Sequence, residues 1–391
     1  MGERHKQDPL RVCVAVGFPE LKLHLELGDM LLEVFSASGF QSSLVRDGDS
    51  DALKADLLLL IGSCGRFKAF ARLLSDWDER KPTTIIWNLE PLPPTALSED
   101  AEQTGLRAVE MWDRMTLPPG LFSRLIKSVV PMSVRSGVRR VIERALFLGS
   151  KKEMANNRAQ VFRDLDISTA RIMMGQYRLL KRCILEGWID YLFVSSIPQM
   201  EFLTSRGIPA EFAPAGYHPG MGESLGIARD IDVVFLGNLR HSRRQATLDA
   251  LRRNLESRGI NLLAVEGECY GRERTELLNR GSISLNLVKH PSDLPGIRFL
   301  MSMGCGALVV SEPLDNPTPY KVGEHLVQAS VTDLPDVIVH YLENKAEREK
   351  IVHSAHNFVT RELTMHNMVK QIMGVCGADS PLSASDMRRG D

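Results

Sequence analysis

Short apolar runs rich in β-branched residues alternate with longer stretches of helical period along the first hundred residues. The runs fall at 12–16, 42–45, 57–61 and 84–87, and helix-period segments at 21–38 and 67–77 separate them. That alternation predicts a parallel sheet covered by helices on both faces. Phe18-Pro19, Asp47-Gly48 and Leu92-Pro93-Pro94 punctuate the strand ends, as residues that break regular structure do. One further unit, a strand at 191–195 and a helix at 198–205, is closed by Gly207.

The same alternation begins again after a break. Residues 212–222 concentrate Pro and Gly without any period, which marks a linker. Strands at 232–236, 261–265, 284–287 and 307–311 then alternate with helices at 243–257, 273–279 and 296–303, and helical period dominates 334–373. The expected fold class is α/β, two Rossmann-like domains. The first covers 1–213, a linker covers 214–231, and the second covers 232–373, with room for its last helices to cross back. Residues 374–391 are expected to be a disordered polar tail. A chain of 391 residues suits two domains, since single cores stop growing near ~250 residues.

Composition acts mainly by exclusion. Lys plus Arg (48) nearly cancels Asp plus Glu (49), so the basic footprint of a nucleic-acid binder is missing and no nucleic-acid partner is expected. The six cysteines, Cys13, Cys64, Cys183, Cys269, Cys305 and Cys376, lack close metal or redox spacing; they read as free thiols in a reducing compartment. The polar start MGERHKQDPL has no signal-peptide core, and the run at 57–61 is far short of a membrane span. A cytoplasmic protein is the expectation. Residues 121–152 carry Arg124, Lys127, Arg135, Arg139, Arg140, Arg144, Lys151 and Lys152 against Glu143. This segment reads either as the solvated face of a packed helix or as a peripheral contact with anionic lipid on the inner membrane face.

Open α/β sheets bind ligands beyond the carboxyl ends of their strands. After 232–236 the chain runs Gly237-Asn238-Leu239-Arg240-His241-Ser242-Arg243-Arg244, a glycine turn into a basic helix start. A glycine lets backbone approach a diphosphate, free helix amides face it, and arginine adds charge. After 284–287 comes Lys289-His290-Pro291-Ser292-Asp293-Leu294-Pro295-Gly296-Ile297-Arg298, which also leads into a helix. Asp-x-Asp triplets start at Asp47, Asp49, Asp76, Asp164 and Asp230; so many scattered matches, one of them an Asp-Gly turn signal, do not make a metal site, and none is expected. Gly17 stands alone after the first strand, without the further glycines of a dinucleotide fingerprint.

The second half resembles GT-B glycosyltransferases, in particular the spore-maturation-type branch. The residues that carry the resemblance are Phe235-Leu236-Gly237, Tyr270-Gly271, Leu285-Asn286, Pro295-Gly296-Ile297-Arg298, Gly304-Cys305-Gly306 and Thr360-Arg361. Upstream, Tyr191 to Ser195, Gly207, Pro214 to Pro219 and Ile86 to Pro91 are similar more weakly. The resemblance implies two domains facing across a cleft and a nucleoside-diphosphate sugar as donor substrate. It implies no separate cofactor, and an unknown glycan, lipid or protein as acceptor.

In such a site arginines and helix amides, rather than a metal, stabilise the leaving diphosphate. The implied donor-side residues are Gly237, Asn238, Arg243, Asn286, His290, Gly296, Arg298 and Glu312, with Arg298 first and Arg244 competing with Arg243. On the acceptor side Gly17 keeps the cleft floor open. His218, in the linker, is a candidate proton acceptor, and Glu90 is a candidate base or acceptor ligand, against the reading of a solvated loop acid. Cys305 reads as a packing residue. One position departs from the family: Met301 stands where a carboxylate usually receives the ribose hydroxyls. Either Glu312 takes over, or nucleotide binding is weak, or the domain is a non-catalytic binder or assembly component.

Overall fold

The computed structural model describes residues 9–17, 19, 22–76, 81–95, 97–116, 141, 144–145, 167–238, 242–266, 269–288 and 296–377. The basic segment 121–152 lies outside these apart from 141, 144 and 145, as do His290, Asp293 and the tail from 378.

Two parallel sheets organise the chain. The first contains β1 (Arg11–Val16), β2 (Gln41–Val45), β3 (Leu57–Ile61), β4 (Thr83–Asn88), β5 (Tyr191–Val194) and β6 (Glu211–Phe212), in the order β2-β1-β3-β4-β5-β6. Its helices are α1 (Lys22–Ala37), α2 (Lys68–Ser75), α3 (Glu99–Thr116), α4 (Ile167–Leu185) and α5 (Ile197–Thr204). The second contains β7 (Ile231–Leu236), β8 (Leu262–Val265), β9 (Gly281–Asn286), β10 (Leu308–Ser311) and β11 (Val327–Gln328), in the order β11-β10-β9-β7-β8. Its helices are α6 (Ser242–Glu256), α7 (Gly271–Arg280), α8 (Gly296–Gly304), α9 (Leu334–Glu343) and α10 (Lys345–Asn357), and after the π-helical turn Phe358–Glu362 the chain ends in α11 (Met365–Val375).

Burial follows the pleat. β3 is buried at every position because helices cover both faces, which is why its sequence is a continuous apolar run. In the central strands alternate residues feed two cores: Val12, Val14, Leu57, Leu59, Ile85 and Trp87 on one face, Cys13, Ala15, Leu58, Leu60 and Ile86 on the other. The edge strand β2, QSSLV, leaves most of its side chains exposed or half-exposed.

The first of these cores does not stop at the domain boundary. It continues through Ile231, Val234, Phe299 and Met301 of the second half and ends on Met365, Met368, Val369 and Ile372 of α11. The last helix therefore packs on the first domain, against α1, and its Gln371 Nε2 donates to Phe212 O at 2.7 Å. The return is pinned at Tyr217, whose N–H donates to Leu363 O and whose carbonyl accepts from Met365 N–H, both at 2.7 Å. A Cβ at Gly216 would lie 2.4 Å from Thr364 O and 2.5 Å from Met365 Cα, so only glycine lets linker and return segment touch.

The two sheets meet through helix starts. In a βα unit the helix begins on the carboxyl-edge side of its sheet, and α1 follows β1 as α7 follows β8. Glu26, in the second turn of α1, accepts from Gly271 N–H at 3.0 Å and from Arg274 Nη1 at 2.6 Å, both in the first turn of α7. Lys22 adds a cation–π contact over Tyr270, 5.8 Å from the ring centroid. The carboxyl edges of both sheets are thereby turned toward the same interdomain side.

Candidate functional site

At the carboxyl edge of the second sheet, the loops after β7, β9 and β10 are tied together by two arginines from the start of α6. Arg244 is 1% exposed; it donates through Nη1 to Asn238 O at 3.1 Å and through Nη2 to Leu287 O at 2.6 Å, with its guanidinium over the Phe235 ring. Arg243 takes a fork geometry on Glu312, which follows β10: Nη2 bonds Oε1, and Nη1 lies 3.2 Å from Oε2. Glu312 is 1% exposed and also accepts from Val288 N–H at 2.9 Å. An ion pair this buried is stable only with its remaining lone pairs satisfied, and the Val288 amide supplies that.

Arg298 enters from the other side, as the third residue of α8. A Cβ built on Gly237 would lie 3.2 Å from its Nη1, so the guanidinium rests on the glycine turn after β7. A side chain at 237 would push it away. Gly296, the first residue of α8, approaches Ala215 of the linker and receives the Tyr320 hydroxyl on its carbonyl at 3.5 Å. Asn286 is buried at the end of β9; its Nδ2 donates to Ser311 Oγ at 2.8 Å, and its Oδ1 has no hydrogen-bond partner among the described residues.

Asn286, Arg298 and Met301 line one cavity of about 10 Å3, near the threshold for a single water. Met301 is 3% exposed and belongs to the apolar core that runs between the sheets. The predicted residues Gly237, Asn238, Arg243, Asn286, Gly296, Arg298 and Glu312 are thus gathered at one sheet edge.

His218 is placed elsewhere. The linker descends along α8: Ala215 lies beside Gly296 at its start, and Tyr217 beside Gly304 at its end. His218 itself faces α1 rather than the loops that hold Arg243 and Arg298. Its Nε2 is 3.3 Å from Glu33 Oε2, and its Nδ1 accepts from Gly220 N–H. It lines a cavity of about 470 Å3 with Val34, Thr360, Met365 and His366. Burial lowers its pKa, with Glu33 opposing.

On the first sheet, Gly17 follows β1 and donates its N–H to Ile61 O at 2.9 Å. Glu90 follows β4, and its carbonyl accepts from Asn88 Nδ2 and Gln199 Nε2. Buried polar side chains that carry no motif also follow strands of this sheet: Ser63, Ser196 and Gln199, with Asn88 ending β4. Of these, Ser196 Oγ and Gln199 Oε1 have no hydrogen-bond partner among the described residues. The one local signal was Ser196 before Ile197-Pro198, a helix-start pattern. Several Asp-x-Asp members turn out to be structural: Asp47 accepts from Ala69 and Phe70 N–H, Asp49 caps Asp51, and Asp230 pairs with Arg280. Cys305 is fully buried, and burial pushes its thiol up to about 12.

Residues 240–374, the segment that supplies Arg243, Asn286, Arg298 and Glu312, match a family described as glycosyl transferase-like. That match spans 135 of the 391 residues, about a third of the chain. The chain has the GT-B fold: it is similar to sucrose-phosphate synthase from Thermosynechococcus elongatus at 10% identity and a TM-score of 0.53, over 94% of this chain and 98% of that one. Anabaena Alr3699/HepE in complex with UDP-glucose aligns at 9% identity and a TM-score of 0.48, over 94% of this chain and 99% of that one. No curated protein matches the chain.

Proposed function

We propose that the chain transfers a glycosyl group from a nucleoside-diphosphate sugar to an acceptor bound on the carboxyl edge of the first sheet. The observation that carries this is Arg298, in the first turn of α8, resting on the glycine turn after β7. A guanidinium, the first amides of α8 and an unobstructed glycine backbone together make a receptor for two linked phosphates. In the reaction an acceptor hydroxyl attacks the anomeric carbon and gives its proton to a base on the acceptor side, Glu90 in this reading, while the bond from that carbon to the diphosphate oxygen breaks and the electron pair leaves with the diphosphate. Arg298 and the helix amides take up the developing charge, which requires no divalent cation. Glycosyl transfer needs water kept out, and the carboxyl edges turned to one side supply the wall on which the donor closes.

A second reading has its own observation. Met301 is buried in the core where a ribose-binding carboxylate would stand, and Glu312 is already engaged by Arg243. These favour a domain that binds nucleotide or sugar without turnover. Nucleoside-diphosphate titration followed by melting temperature separates either reading from an inert scaffold, because a ligand stabilises the state that binds it. Arg298→Ala is expected to abolish that stabilisation while leaving the unliganded melting temperature nearly unchanged. Equal loss of both would remove Arg298 from the site. Release of nucleoside diphosphate from a panel of sugar donors then decides between enzyme and binder.

A further inference from the structure

The second domain has another concave surface, on the edge opposite the candidate donor site. Arg229 precedes β7, Ser282 lies at the start of β9 and Gly306 precedes β10, and all three line a cavity of about 670 Å3 whose other wall is α10. The six residues of β7 separate it from Gly237 by ~20 Å. Its volume falls in the range of small-molecule sites, roughly 300–1,000 Å3.

The charge in this cavity is one-sided. Lys345 and Arg348 of α10 line it together with Arg229, His353 and His356 add two imidazoles, and Glu349 is the one carboxylate on the lining, 3.5 Å from Lys345 Nζ. Neither arginine has a carboxylate partner among the described residues. Arg229 donates to the carbonyls of Leu278, Gly281 and Cys305, at the ends of α7 and α8. Arg348 donates through Nη1 to Tyr341 O at 2.7 Å and Leu342 O at 3.2 Å, near the end of α9. Helix capping accounts for those contacts. It leaves the Nε and Nη2 of Arg348 without a partner among the described residues, on a guanidinium already held through Nη1. Burial lowers the pKa of Arg229 and the Arg348 charge lowers it further, so the two groups repel across the cavity. An anion between them relieves that repulsion. No side chain caps the start of α10 at Asn344, so its first amides favour the same sign of ligand. Ile227 and Val352 supply an apolar wall.

We propose that this groove is a second ligand site, which takes a phosphate-bearing small molecule of about the size of a sugar phosphate. The phosphate lies between Arg229 and Arg348, and the body of the ligand lies against Ile227 and Val352. The site stands on its own residues and does not depend on the proposed transfer reaction.

Titration of the full chain with a hexose monophosphate and, separately, with inorganic phosphate, followed by 31P line broadening and calorimetry, tests it. Both are expected to bind, the hexose phosphate more tightly. Arg348→Gln should weaken binding roughly tenfold, the loss of a charge-assisted fork. Lys345→Glu, at an exposed position that does not threaten the fold, should weaken it in the same direction, and Arg298→Ala should leave it intact. Binding that survives both groove variants, or that disappears with Arg298→Ala alone, would overturn the proposal, as would no binding by the unaltered chain. Inorganic phosphate binding as tightly as the hexose phosphate would overturn the assignment to an organic ligand.

Discussion

Glu26 of the first domain holds Arg274 of the second at 2.6 Å, and the same carboxylate accepts the N–H of Gly271 at the start of α7. Arg274 is 1% exposed, so this is a charge withdrawn from water and matched by one partner across the boundary. It also points a carboxylate at a helix N-terminus, where negative charge is favoured.

Glu26→Ala leaves the buried guanidinium of Arg274 unmatched. The expected loss is ~3 kcal/mol of unfolding free energy in urea titrations, the scale for stripping one partner from a buried pair. Adding Arg274→Met in the Glu26→Ala background should restore most of it, because no buried charge then remains. A double variant as weak as the single one would show that the contact acts through something other than charge.

Arg243→Ala is expected to behave differently from Arg298→Ala. It strands Glu312, whose side chain is 2% exposed, and should cost roughly 3 kcal/mol of stability. Glu312→Gln, which keeps an acceptor for Val288 N–H, should cost less. If Arg243→Ala instead leaves the melting temperature alone and removes only nucleotide binding, the Arg243–Glu312 pair is a ligand device and not a structural tie.

Met301→Glu tests the alignment of α8 with the nucleotide. A carboxylate that reaches ribose hydroxyls should tighten nucleoside-diphosphate binding about tenfold, some 1.4 kcal/mol. Because the methionine is buried in the core, a carboxylate that fails to reach the ligand lowers the melting temperature with no gain in affinity. The second outcome would show that α8 does not face the nucleotide as aligned.

Acid should weaken the fold through His325. The ring is 3% exposed, stacks on Phe358 at 4.2 Å and accepts from Lys321 N–H. Burial, the largest influence on it, lowers its pKa below the ordinary 6.5. The unfolded chain therefore binds a proton that the folded one resists. The stability from the neutral ring is fully present above pH 6.5 and is lost as pH falls below that value. Melting temperature should drop on acidification through that range, and His325→Gln should flatten the slope. His218 and His356, lowered by burial as well, act in the same direction.

Much of the architecture was legible along the chain. The runs at 12–16, 57–61, 84–87 and 232–236 became β1, β3, β4 and β7, and the 212–222 break falls between the sheets. The two-residue strands β6 and β11 carry too few residues to show a period, and α3 and α4 were not anticipated from it. The final helix runs to Val375, two residues past the expected end.

What the sequence by itself determined was the alternation of strand and helix and the glycine and arginine loops that follow two of the strands, because periodicity and turn chemistry are properties of neighbouring residues. Only the tertiary structure decided which charges meet. Arg243 finds Glu312 across 69 residues of chain, Arg274 finds Glu26 across 248, and His218 is brought against Glu33 of α1. Those outcomes depend on strand order, on the direction in which α8 runs, and on a last helix that returns to the first domain to complete its core. None of these is written in the spacing of residues near the groups they bring together.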